Sequence, residues 1–252
     1  KECLTDEDYN KNGLLRSVVF KENKLVSFSP PKSMNYTKMS ESMPLTQEIA
    51  IQELVEGTMI NVFWNPCLDS NGDYIIENKD EKNVKGIKGE WEIATRSTIG
   101  GTVTYFQEEG APTFRRMFLE ACNECKVDLD KLTVSDENGV YCYSFVLQHP
   151  NNRIVKLIDT PMLYLVAVYN LNEMTVSQVE FDKMKTLSCL DKSKILFPEE
   201  FDNIEMTWER AVKPCHNMDM HYSKPGLVFV NLKTMERCKY RNKAYEEIKV
   251  LR

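Results

Sequence analysis

Short runs of β-forming residues, each fenced by turn residues, crowd the first two-thirds of this chain and limit what it can fold into. They are LLRSVVF, KLVSFS, MINVFW, WEIATRSTIG, GTVTYF, YCYSFVLQ, RIVKLI and MLYLVAVYN. Asn12-Gly13, Asn71-Gly72 and Asn138-Gly139 mark tight turns, and the polar stretch from Asp69 to Lys88 reads as a long loop between strands. Helical spacing of apolar residues is clearest from Thr113 to Cys125, weaker from Val176 to Thr186, and continues from Pro198 to Val212, where acidic residues follow a proline. Strands that cluster, rather than alternate with helices of even length, predict an α+β protein of antiparallel sheets with flanking helices. There is no internal repeat, heptad run or low-complexity linker.

With 252 residues, 42% of them hydrophobic, the chain can bury one or two sizeable cores, and we read residues 1–252 as one domain. No apolar stretch approaches the roughly 20 residues of a membrane span, so no membrane partner is expected. The opening KECLTDEDYNKNG lacks the basic start and apolar run of a secretory signal, which makes an intracellular, cytoplasmic location the expectation. A net charge of -6 means that any nucleic-acid contact must use a local basic groove rather than the field of the whole molecule. Eight cysteines without regular spacing read as reduced thiols. Cys122 and Cys125 fit two half-buried thiols on one helix; a zinc site would need further ligands, with Cys215, His216 and His221 the available ones. His149, His216 and His221 read as turn or surface residues, and no Ser, His and Asp constellation supports hydrolysis.

Five segments carry the chemistry. In EIAIQELVEGTMINVFW, Glu56-Gly57-Thr58 stands between two β-type runs; on its own it is a turn glycine between strands. YCYSFVLQHPNNRIVKLIDTPMLYLVAVYN contains Pro150, Asn152, Arg153, Ile154 and Val155, followed by an apolar strand. In YSKPGLVFVNLKTMERCKYRNKAYEEIKVLR, Gly226 opens a strand, and Lys239 and Arg241 alternate on a later one, which puts both charges on one face. WEIATRSTIGG supplies Arg96 beside Ser97, and the opening LLRSVVFKENKLVSFSPPKSMNY supplies Arg16, Lys32 and Asn35.

Taken in order, these segments resemble RNA ligases of the covalent nucleotidyltransferase superfamily over nearly the whole chain; similar runs occur in uncharacterised proteins of large DNA viruses, which would place the protein in host cytoplasm or a virion. The resemblance implies a ligase-type adenylation domain in which Glu56, Gly57, Thr58, Arg96, Arg153, Lys239 and Arg241 contact a nucleotide, with Arg16 and Lys32 as additional anion contacts. In such enzymes a lysine amine attacks the α-phosphate of ATP, and an amine without its proton is needed for that step. The matching position here is Leu54, while Val146 and Pro225 stand where the family has glutamates.

Three reactive positions are therefore lost and the cationic ones kept. The expectation is a noncatalytic binding module for a nucleotide, an RNA end or a protein partner, with no catalytic or metal-ligating residue assigned. The alternative is a divergent ligase with a displaced nucleophile at Lys32, Lys88 or Lys224, and only then with ATP and Mg2+ as cofactors.

Overall fold

The computed structural model describes residues 16–105, 110–173, 175–203 and 206–251. Its strands are β1 (Val19–Lys21), β2 (Lys24–Ser27), β3 (Ile49–Glu53), β4 (Thr58–Pro66), β5 (Gly89–Ala94), β6 (Val140–Gln148), β7 (Met162–Asn172), β8 (Thr175–Gln178), β9 (Glu200–Phe201), β10 (Gly226–Asn231) and β11 (Arg237–Arg241). The α-helices are α1 (Tyr36–Ser42), α2 (Phe114–Cys125), α3 (Phe181–Lys185), α4 (Trp208–His216) and α5 (Lys243–Val250). Every pairing between these strands is antiparallel, as the clustering of β-type runs requires. Among the described residues no helix is long and apolar enough to cross a membrane.

Two compact units divide the chain, one containing Pro30–Leu54 and Glu199–Arg252 together with Arg16, the other Ser17–Ser29 and Val55–Pro198. In the first unit, β11-β10-β3-β9 form a four-stranded sheet. Ile49 and Ile51 of β3, Leu227 and Phe229 of β10 and Cys238 of β11 point to one side, where they meet Met39 of α1 and Val212 and Cys215 of α4. Helices α1 and α5 begin at Asn35 and Asn242, whose side chains accept from Thr37 N at 2.8 Å and Ala244 N at 3.1 Å. Neither helix is evident from hydrophobic spacing, because each is short and its start is fixed by a capping side chain.

The second unit holds the β1-β2 hairpin and a five-stranded sheet in the order β5-β4-β6-β7-β8. Helix α2 packs Met117, Phe118, Ala121, Cys122 and Cys125 against Phe145, Leu163 and Leu165. Both thiols are buried, and burial pushes that of Cys122 up to about 12, so it stays protonated. The helix starts at Thr113, whose hydroxyl accepts from Arg116 N at 3.2 Å. Thr113→Ala is expected to lower stability by about 1 kcal/mol, measured by urea denaturation with an unchanged m-value.

Four sequence expectations shift. GTVTYF forms no strand among its described residues: Gly101 takes φ 61° and its carbonyl accepts from Arg115 N, folding the segment onto the start of α2. The Val176–Thr186 periodicity splits into β8 and α3, and Pro198–Val212 holds β9 before α4 begins. RIVKLI is not a strand, for a reason given below. Asn71-Gly72 turns, with Gly72 at φ 79°, and Asn138-Gly139 lies in the turn before β6, whereas Asn12-Gly13 falls outside the described residues.

Candidate functional site

In the second unit, Glu56, Gly57 and Thr58 come together with the segment from Gln148 to Lys156. Glu56 is buried, and its carboxylate accepts from three successive backbone N–H groups: Ile154 at 3.1 Å, Val155 at 3.1 Å and Lys156 at 3.2 Å. Its carbonyl accepts from Gln148 Nε2 at 2.8 Å. Thr58 Oγ1 accepts from Asn152 Nδ2 at 2.7 Å. Here RIVKLI departs from its β-type composition, because N–H groups that a ladder would use converge on one carboxylate. Gly57 has φ 145°, and a Cβ there would run into the Leu147 carbonyl oxygen and come within 2.7 Å of Val146 Cγ1. Val146 is buried beside this glycine on β6, which is paired with β4 on one side and β7 on the other.

Arg153 follows the turn Pro150–Asn152 and is exposed. Arg96 is also exposed, in the turn Thr95–Thr98 beyond β5, and its carbonyl accepts from Ser17 Oγ at 2.9 Å. His149, expected at a turn or surface, is at a turn but buried: Nδ1 accepts from Asn151 N, which leaves Nε2 to donate to Glu120 Oε2 at 3.0 Å. Lys88 is ion-paired with Glu77 at 2.7 Å, which raises its pKa.

The first unit gathers the remaining positions. On β11, Cys238 turns toward the core, so Arg237, Lys239 and Arg241 point to the opposite side of the sheet. Register pairs Lys239 with Val228 and Val228 with Gln52, and pairs Arg241 with Gly226. Leu54 N donates to the Gly226 carbonyl at 2.9 Å, continuing that ladder by one residue. Leu54 therefore shares a sheet face with Gln52, Val228, Lys239 and Arg241. Gly226, at φ 136°, puts no side chain between Leu54 and Arg241, and an added Cβ would strike the Tyr240 carbonyl. Pro225 precedes it and presents its carbonyl to Asn242 N.

Charge on this face is lopsided. Arg241 Nε lies 3.8 Å from Glu246 Oε1, while the Lys239 amine makes no hydrogen bond or ion pair among the described residues. Half-buried, and beside Arg237, Arg241 and Arg16, it has its pKa pushed down from 10.5 to about 7, burial being the largest cause. Lys224 has the opposite environment, an ion pair with Glu199 that raises its pKa, and Lys32 is exposed. Arg237 lies outside the segments' motif positions, and its alternate spacing with Lys239 and Arg241 is the sequence signal that points to it.

The chemistry of this face suits a phosphate: three cations on one strand. A directly held divalent cation does not fit it, since among the described residues no group of three or more His, Cys, Asp or Glu gathers anywhere.

No protein-family model matches the chain, and no curated protein is similar enough to report. Solved structures of the RNA ligase of Naegleria gruberi do match. An aspartate-to-alanine variant without ligand aligns with 96% of this chain and 62% of its own at a TM-score of 0.57 and 13% identity. The ligase with pyrophosphate aligns with 89% and 59%, at 0.56 and 12%. A lysine-to-alanine variant with ATP and Mn aligns with 93% and 61%, at 0.55 and 13%. The chain spans about three-fifths of the length of these structures and has the α+β, antiparallel-sheet fold of an RNA ligase nucleotidyltransferase.

Proposed function

We propose that this chain is a ligase-fold binding module that grips the phosphates of a nucleotide or an RNA end and has lost the covalent step at position 54. The observation that carries this is the row of Arg237, Lys239 and Arg241 on the sheet face of Leu54, with Arg16 close enough to act on the charge of Lys239. Three positive side chains gathered without a carboxylate on the central one are stabilised by an anion. Leucine has no side-chain lone pair with which to attack a phosphate, and the Leu54 N–H is already given to the Gly226 carbonyl. In this reading Glu56, Gly57 and Thr58 hold the 148–156 segment of the second unit in shape.

The displaced-lysine alternative loses two of its candidates on electrostatic grounds, because Lys88 and Lys224 sit in ion pairs that favour their protonated forms.

Calorimetric titration of ATP, GTP and a 5′-phosphorylated RNA oligonucleotide at low salt tests the proposal. Arg241→Ala is expected to weaken binding roughly 10-fold, the loss of one charge-assisted contact, and binding is expected to fall steeply with added salt. If none of the three ligands binds at low salt, the reading fails and a protein partner is the remaining role.

A further inference from the structure

The chain has lost the amine expected at position 54, yet a different amine stands on the same sheet face. Lys239 lies two strands across from Leu54 and one row along, so about 10 Å of sheet separates their strands. Val228 and Gly226 are the residues of the intervening strand on that face. A valine and a glycine form a low surface, over which a four-carbon stem can swing its amine.

We propose that Lys239 is a displaced nucleophile, whose amine attacks the α-phosphorus of a nucleoside triphosphate held by Arg237 and Arg241 on the sheet face of Leu54. The proposal rests on the nucleotide site proposed above and adds a covalent step to it. In that step the ammonium first gives a proton to solvent. Its nitrogen lone pair then forms the N–P bond while the bond from the α-phosphorus to the bridging oxygen breaks and pyrophosphate leaves with that electron pair; the nitrogen gives a second proton to solvent, leaving a neutral N–H on the phosphoramidate.

Three features of the site favour this amine over every other described lysine. Among the described residues it has no carboxylate or hydrogen-bond partner to hold its proton. Arg237 and Arg241 flank it at i−2 and i+2, so the groups that discourage its protonation are the ones suited to bind the leaving phosphates. Its pKa of about 7 leaves roughly half the amine neutral at pH 7, against about one part in three thousand for an ordinary lysine at 10.5.

Intact-mass spectrometry after incubation with ATP or GTP and Mn, at pH 7 to 9, decides it, run beside thermal-shift titration of the same nucleotides. The expected result is an acid-labile adduct of nucleoside monophosphate mass that maps to the peptide carrying Lys239, with one pyrophosphate released per adduct. Lys239→Arg, which keeps the charge, is expected to lower the adduct to below about a hundredth of its yield. An adduct on another residue, or a nucleotide-induced thermal shift with no adduct, overturns the proposal and leaves the binding site standing. Absence of both signals overturns the two together.

Discussion

Replacing Glu56 by alanine is expected to lower the stability of the second unit by about 3 kcal/mol, since hydrogen bonds to a charged acceptor each contribute about 1.5–3 kcal/mol and three backbone donors lose theirs together. Those donors, Ile154, Val155 and Lys156, all turn toward this one carboxylate, and among the described residues no other acceptor is paired with Val155 N or Lys156 N. Water reaching the half-buried loop limits the loss to less than the sum of three bonds. Glu56→Gln keeps one oxygen but aims an amide NH2 at donors, and is expected to cost about 2 kcal/mol. Hydrogen exchange gives the second readout: protection at residues 154–156 should collapse in Glu56→Ala while that of β6 and β7 persists. A Glu56→Gln protein within 0.5 kcal/mol of the wild type by denaturant titration would mean that the carboxylate is not what orders the loop.

The second large effect has the opposite sign. Lys239→Met should stabilise the protein near neutral pH by about 3 kcal/mol, somewhat less than the ~5 kcal/mol that the full displacement of the lysine pKa represents, because the side chain can relax toward solvent. The pH window follows from the direction of the shift. In the unfolded chain this amine binds its proton up to about 10.5, in the folded one only up to about 7. Between those values the unfolded state holds more protons, so wild-type stability rises with pH through the window. Its penalty is full at and below pH 7 and fades toward 10.5. The difference in midpoint between wild type and Lys239→Met should therefore shrink steadily from pH 7 to pH 10, by urea titration at each pH. A constant difference would place the effect in packing of the methionine rather than in the charge. Added ATP should also close the gap at pH 7, since an anion removes the repulsion from Arg237, Arg241 and Arg16.

The same logic explains why Lys88 and Lys224 are poor candidates for chemistry. Each has a carboxylate partner that stabilises the charge, and a stabilised ammonium is a poor nucleophile.

Much of this architecture follows from the chain alone. Alternating β-type runs such as YCYSFVLQ and MLYLVAVYN become β6 and β7 because a pleated strand with one buried face tolerates little else. FRRMFLEACNEC becomes α2 because its apolar residues share one helical stripe and Thr113 caps it. The placing of Lys239 and Arg241 on one face was likewise fixed by local alternation, and the absence of a side-chain amine at Leu54 is a matter of residue type. Tertiary structure decided the rest. RIVKLI has strand composition, yet its N–H groups go to Glu56, nearly a hundred residues earlier, and no local pattern records a contact at that range. Local alternation sets Arg237 and Arg241 beside Lys239, but the burial that is the largest cause of its lowered pKa, the approach of Arg16, and the Glu77 and Glu199 carboxylates that pair with Lys88 and Lys224 come only with the fold, because pKa depends on burial and on charges brought close through space.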